Sequence, residues 1–199
     1  MIDNMKFLRM SFCLFAILFF HVNTIIAQQS TKLQSLHHVD VFLIGASYNY
    51  EHAFGSNFTL SPSYSVIPGV YTYYIGGNQN SKWGHALYQS LSLDTRWYTN
   101  VNKRVKRGKS VENNSANFVS LLVEYIPEFS NMKYSTYAIT PRWGFRSSFN
   151  QHFFMEFAIG LPYIIDRWPS NEWGSDKWRW RSEVGLHLGL KAGFGFGKK

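Results

Sequence analysis

The chain has little cysteine, and the only one falls where it cannot serve a folded domain. Cys13 lies in "MSFCLFAILFF", an apolar run that basic residues precede and that the small residue Ala27 follows a few positions later. This is the pattern of a secretory signal peptide, with cleavage expected after Ala27. The rest of the chain then has no disulfide, no cysteine-ligated zinc and no cysteine nucleophile. We expect a signal peptide over residues 1–27 and one domain over residues 28–199.

Long apolar runs and helical periodicity are also missing. The N-terminal run is shorter than the ~18 residues that a spanning helix needs, which disfavours the alternative of an anchor helix. Aromatic residues are nevertheless abundant (17 Phe, 12 Tyr and 7 Trp), while the mean hydropathy is −0.21. Apolar and polar residues that alternate along the chain would produce this combination.

Acidic residues are scarce, with 12 Asp and Glu against 20 Lys and Arg, so the formal charge is +8. In an exported protein such a charge favours anionic surfaces over nucleic acid. We therefore expect outer-membrane lipids and lipopolysaccharide as partners, besides the outer-membrane assembly machinery. An extracellular or periplasmic protein partner stays open.

What the sequence does contain is strict alternation. From Trp178 to Phe196 nearly every second residue is apolar, and the residues between are charged, polar or glycine. This length exceeds the usual 3–10 residues of a soluble strand. The pattern recurs in further segments, near residues 39–51, 58–66, 87–97, 119–125, 137–149 and 153–165. An exported chain with a continuous apolar exterior predicts an all-β fold: a closed antiparallel up-and-down transmembrane β-barrel in the outer membrane.

The strand count needs one more strand, because seven segments are clear and bacterial barrels have an even number. Pro68 and Gly69 give a turn signal, after which residues 70–75 supply an eighth strand. The alternative keeps residues 67–84 as one loop and takes the extra strand from residues 34–38. We prefer the first. With the last strand ending in the periplasm, residues 166–177 and 128–133 are expected outside the cell.

Four stretches carry a family resemblance. They are "YNYEHAFGSNFTL" (48–60), "DTRWYTNVNKRVKRGKSVENNSANFVSL" (94–121), "PRWGFRSSFNQHFFMEFAIG" (141–160) and "GLHLGLKAGFGFG" (185–197). Together they resemble the small, uncharacterised outer-membrane β-barrel proteins of Bacteroidetes. The resemblance implies a barrel in the outer membrane and no particular activity, so no catalytic residue is carried over.

The inward positions carry charges of both signs, which predicts a lumen filled by an ion-pair network, since buried charges must be paired. The predicted members are Asp94, Arg96, Glu124, Arg142, Arg146, Glu156, Arg179, Arg181, Glu183 and Lys191. The expected role is structural or interactive. A narrow pore or uptake component is an alternative.

A lipid-modifying enzyme is the other alternative, but its parts are not visible. It would need a serine, a histidine and an acid at the outer rim. His152, His187 and His85 are not accompanied by such partners, although Ser81 lies near His85 in the sequence. The pair His37 and His38 lacks a third metal ligand. We expect no enzyme activity, no metal and no cofactor.

Two surface features complete the prediction. An extracellular aromatic rim would recognise a partner or a glycan, unless these residues form an interfacial belt; its members are Trp168, Trp173, Trp178, Tyr73 and Trp83. The basic run would form a long periplasmic turn that contacts water, acidic headgroups or a periplasmic partner. Its members are Lys103, Arg104, Lys106, Arg107 and Lys109.

Overall fold

The computed structural model describes residues 32–74, 81–128, 135–169 and 178–197, without the side chains of residues 69–74, 81–86, 168, 169 and 178. The predicted signal peptide lies outside the described residues. The strand segments are β1 Leu36–Phe42, β2 Gly45–Phe54, β3 Phe58–Tyr74, β4 Ser81–Tyr98, β5 Asn117–Ile126, β6 Ser135–Ser148, β7 Phe153–Gly160, β8 Tyr163–Pro169, β9 Trp178–Val184 and β10 His187–Phe196. Between β4 and β5 lie a short helix, α1 Val101–Lys106, and a 3-10 turn, Glu112–Asn114.

These segments form a closed antiparallel barrel of eight strands. Hydrogen-bonded neighbours run from β1 through β2, β3, β4, β5, β6, β7 and β10 back to β1. β8 continues β7 after a break at residues 161–162, and β9 leads into β10 after a break at residues 185–186. The predicted all-β, eight-stranded barrel is confirmed.

The origin of the eighth strand was predicted wrongly. β3 runs without interruption through Pro68 and Gly69, so these residues form no turn and residues 70–74 belong to β3. The extra strand arises from the first hairpin, where a two-residue turn at Leu43 and Ile44 separates β1 from β2. The alternative was partly right, because β1 begins at Leu36 and so includes residues 36–38 of the strand that it placed at residues 34–38. Its loop over residues 67–84 is wrong, because β3 and β4 occupy both ends of that range.

Pro68 fits inside β3 because this part of the strand has only one neighbour. The pairing of β2 with β3 begins at Val66, and the remainder of β3 pairs with β4 alone. Proline lacks the backbone N–H and is tolerated at sheet edges, where no ladder bond is lost. Pro68, which had suggested a turn, therefore lies in the part of β3 that forms an edge of the sheet.

The predicted alternation of apolar and polar residues between the two faces is confirmed. The polarity of the faces is the reverse of that in a water-soluble domain. Large apolar side chains are exposed on every strand segment, among them Val41, Tyr48, Tyr64, Leu91, Leu121, Ile139, Ile159, Tyr163, Trp180 and Leu190. The buried set is largely polar and charged, with Asp40, Glu51, Arg96, Arg146 and Glu156 almost completely enclosed. The interior is thus the polar side of the wall.

Both chain ends of the barrel lie at the same end, since His37 pairs with Phe196. The turns at residues 55–57 and 149–152 and the segment 99–116 lie there too, and we call this the closed end. At the opposite, open end, β3 leads to β4, β5 to β6 and β8 to β9. No helix within the described part of the chain is long and apolar enough to cross a membrane.

Candidate functional site

The half of the lumen near the closed end is filled by ion pairs centred on Glu156. Arg96 donates from both terminal nitrogens to the two Glu156 oxygens, at 2.7 and 3.0 Å. Arg146 donates from Nε to the same carboxylate at 2.8 Å and from Nη1 to Glu51 at 2.7 Å. Each guanidinium also lies over an aromatic ring, Arg96 over Phe118 and Arg146 over Phe154. Bidentate arginine–carboxylate pairing of this kind is strong and directional.

A second branch of the network reaches towards the middle of the barrel. Asp94 accepts hydrogen bonds from Arg96 and from Arg142, and Arg142 also donates to Ser120 Oγ at 3.2 Å. Lys191 lies 3.4 Å from Glu156 Oε1. The structure therefore brings together Asp94, Arg96, Arg142, Arg146, Glu156 and Lys191 of the predicted set.

Sequence reasoning missed the contribution of the first two strands. Glu51 accepts from the Tyr98 hydroxyl at 2.7 Å, and Asp40 bonds His38 Nδ1 at 2.7 Å and Lys191 Nζ at 2.6 Å. All of these except Lys191 are buried. The turn at residues 43–44 was not recognised, so residues 39–51 looked like one strand that is apolar on both faces. Knowing that turn would have placed Asp40 on the inner face, whereas Glu51 already alternates with the outward Tyr48 and Tyr50 and was not recognised as a member of the network.

Inward glycines leave room for these side chains. A Cβ added at Gly193 would lie 2.1 Å from the Phe154 ring and 2.5 Å from Asp40 Oδ1. A Cβ at Gly144 would lie 2.6 Å from the Phe118 ring and 2.4 Å from a backbone oxygen. Glycine is therefore needed at these inward positions to make room for the side chains of the network, not to make the strands flexible.

The remaining predicted members stand apart. Arg179, Arg181 and Glu183 lie on β9 towards the open end and are exposed, with Arg181 and Glu183 3.2 Å apart. Glu124 is half-buried and lines the cavity described below. The filled lumen is therefore a property of the closed half.

The closed end is sealed by the segment between β4 and β5. Val101, Val111 and Ala116 are buried and pack in one cluster with Tyr98 and Phe118. This cluster places the segment against the end of the barrel instead of leaving it as an extended turn.

Two asparagines hold the segment 99–116, which we call the seal, against the end of the barrel. Asn113 and Asn114 have φ values of 50° and 58°, a left-handed conformation that asparagine tolerates better than most residues. Asn114 accepts from Gln34 N at 2.8 Å and donates to Gln34 O at 2.9 Å. Asn113 donates to Asn150 O at 3.1 Å, and its own carbonyl accepts from Arg146. The seal is thereby bonded both to Gln34, just before β1, and to Arg146 of the ionic network.

The basic residues of this segment face outwards. Lys103, Lys106, Arg107 and Lys109 are exposed on and after α1. Arg104 donates from Nη2 to Ser110 O at 2.9 Å, and partial burial lowers the pKa of its guanidinium. The predicted basic site is a cationic surface on the seal at the closed end.

The aromatic rim falls largely outside the described side chains. The backbone places Tyr73 and Trp83 where β3 and β4 pair at the open end, and Trp168 and Trp178 where β8 and β9 pair there. Trp173 lies outside the described residues altogether. The recognition role of this rim stays a prediction.

Above the ionic network the lumen opens into a cavity of about 720 Å³. The floor of this cavity includes Asp94, Arg142 and Lys191, and its wall includes Glu124 and His187. A volume of this size is typical of small-molecule sites.

The histidines do not assemble a metal centre in the part of the chain that the structure describes. No group of three or more His, Cys, Asp or Glu there is arranged to hold a metal ion. His152 is exposed at the closed end and bonds Gly195 O at 3.0 Å, whereas His187 faces the cavity. His85 and Ser81 have no described side chains.

Comparison with known proteins adds no assignment. No protein-family model, no curated protein and no solved structure matches this chain. The resemblance to Bacteroidetes outer-membrane proteins stays a prediction. The fold and the site define the class as a closed eight-stranded antiparallel β-barrel with an ion-paired interior.

Proposed function

We propose that this chain is an integral outer-membrane β-barrel with a structural or interaction role, and that it is closed to ions. The inverted polarity of the wall carries this proposal. Exposed leucine, valine, isoleucine and aromatic side chains occur on every strand segment, whereas the charged side chains of the closed half, among them Asp40, Glu51, Arg96, Arg146 and Glu156, point inwards. A surface of this kind is costly in water and suited to hydrocarbon.

The ionic network and the seal support a closed lumen. Arg146 bridges Glu156, Glu51 and the backbone of Asn113, so the cross-section is occupied by side chains held in place by several bonds. An eight-stranded barrel has an interior that side chains can fill. The protein is therefore proposed to act through its surfaces rather than by conduction.

Cell fractionation tests the location. The protein should separate with the outer membrane and show heat-modifiable mobility on gels, because a closed barrel resists detergent until it is heated. Recovery in the soluble periplasm would contradict membrane insertion.

Planar-bilayer recording tests the closed lumen. Purified protein should give no channel steps, and steady conductance would instead favour the pore alternative. Unchanged lipid A mass spectra in a deletion strain are expected as well, whereas altered spectra would favour the lipid-modifying enzyme.

A further inference from the structure

The barrel wall has a notch above the first hairpin. β1 and β2 end at the turn of Leu43 and Ile44, but both flanking strands continue beyond it. β3 runs eight residues past its last partner in β2, from Val66 to Tyr74. On the other side, the pairing of β10 with β1 reaches only Lys191, and the strand extends from there back towards Trp178. With strands ~4.8 Å apart, β3 and β10 are separated by roughly 14 Å at the level of the turn.

The lining of the cavity includes residues beside this notch. Ser65 and Ser92 line it from the inner face, as the alternation of buried and exposed positions shows. Leu188 and Leu190, which lie on either side of Gly189 and are 64% and 60% exposed on the outer face, line the same cavity. The lining therefore includes residues of the lumen and of the outer apolar surface, which is the arrangement expected of a lateral opening.

The two parts of this space differ in polarity. The notch is bordered by apolar side chains: Val41, Leu43, Ile44, Leu188 and Leu190. Leu43 is 97% exposed, an unusual residue for a tight hairpin turn, where Asn, Asp and Gly predominate. The inner wall on β2, β3 and β4 carries hydroxyls and an amide instead: Ser47, Asn49, Ser63, Ser65 and Ser92.

The charges on the cavity floor are already engaged with one another. Asp94 is bonded by Arg96 and Arg142, and Lys191 is bonded to Asp40. An incoming ion would have to displace such a pair.

The polar wall is also bonded internally, with Ser63 Oγ 2.6 Å from Ser92 Oγ and Asn49 donating to Ser47 Oγ at 3.0 Å. Its serine hydroxyls keep further acceptor capacity, which an incoming hydroxyl can use without displacing a pair. Glu124 adds a carboxylate that accepts from hydroxyls and repels an anionic head.

We propose that the notch binds a single-chain lipid with an uncharged, hydroxyl-bearing head, which enters sideways from the bilayer. The head lies against the serine wall, and the chain lies between Leu188, Leu190 and the Leu43 turn. This inference rests on the proposed membrane location. A bound lipid of this class would give the barrel a binding function that needs no open channel.

The test uses a monoacylglycerol in phosphatidylcholine vesicles that contain the folded barrel. Native mass spectrometry of protein released from these vesicles should show a one-to-one monoacylglycerol adduct. The fatty acid of the same chain length should bind about tenfold more weakly, a difference of ~1.4 kcal/mol. Equal binding of the fatty acid would overturn the assignment of an uncharged head.

Gly189→Phe is the blocking variant. A Cβ at Gly189 would lie 3.0 Å from His187 Nε2 and 3.8 Å from both His187 Cδ2 and the Ala158 carbonyl oxygen. The His187 side chain must therefore shift by a few tenths of an ångström, but no backbone atom is closer than an ordinary contact, so a ring can enter the cavity without moving the strand. We expect this variant to lose the adduct. Leu91→Phe, an aromatic addition on the outer wall away from the cavity, is the matched control and should keep it.

The outcomes separate the two proposals. Heat-modifiable mobility establishes that both variants fold, and flotation with vesicles establishes insertion. A folded wild-type protein that fails to float contradicts the membrane proposal itself. A protein that floats but forms no adduct, or whose adduct survives Gly189→Phe in a folded barrel, overturns the lipid site alone.

Discussion

At the residue scale, Glu156 is the carboxylate around which three cationic side chains of the interior are gathered. It receives Arg96 and Arg146 directly and lies within 3.4 Å of Lys191. Glu156→Gln would leave buried guanidinium groups short of their countercharge. We expect a loss of about 3–5 kcal/mol in the free energy of unfolding, measured by urea titration of the folded barrel in vesicles.

Glu183→Gln is the control for that experiment. It makes the same chemical change in an exposed pair with Arg181, where both side chains contact solvent. Screening limits such pairs to about 0–1 kcal/mol. Equal losses in the two variants would show that the interior network adds nothing beyond an ordinary surface pair.

Asn114 combines an unusual backbone with two hydrogen bonds, and two substitutions separate these contributions. Asn114→Gly keeps the left-handed backbone accessible but loses both bonds to Gln34, which is expected to cost about 1–3 kcal/mol. Asn114→Ala should lose a further ~1 kcal/mol, because a Cβ disfavours that backbone. The denaturant midpoint should fall from the wild type to Asn114→Gly and further to Asn114→Ala. An alanine variant as stable as the glycine variant would contradict a separate contribution from the left-handed backbone.

At the element scale, residues 67–74 of β3 form an edge that pairs with β4 alone. Along this edge we expect proline to be tolerated at every second residue. Pro68 occupies a position whose N–H would point away from β4. Val70→Pro repeats this parity and should fold, whereas Tyr71→Pro should lose a ladder bond to β4 and about 1–3 kcal/mol. The folded fraction on unheated gels measures both. If both variants folded equally, β3 would not be held by β4 in this register.

Strand faces could be predicted because alternation is a local signal. In β6 and β10 the outward and inward positions agree with the sequence pattern throughout. The first hairpin was missed because the two residues of its turn are Leu43 and Ile44, and the adjacent turn signal is the single glycine Gly45, which pairs with Phe42. That missed turn put Asp40 on the wrong face and so removed it from the predicted network.

At the scale of the whole molecule, the apolar exterior should behave as a lipid-facing surface. Leu121 is exposed in the middle of β5, and Leu121→Arg should cost about 2–4 kcal/mol if the residue lies near the bilayer centre. Folding titrations in vesicles measure this cost. Ser56→Arg, in the exposed turn at the closed end, is the control and should change stability little. A Leu121 variant as stable as this control would argue against hydrocarbon contact.

The sequence by itself determined the all-β barrel and the polarity of the two faces. These properties follow from a period of two and from the impossibility of an open edge in an apolar surrounding. Only the tertiary structure decided which charges meet, because Glu51 and Arg146 are 95 residues apart and their contact depends on register and closure. It also decided that the hairpin of β1 and β2 is shorter than its neighbours, and this difference in length creates the lateral notch.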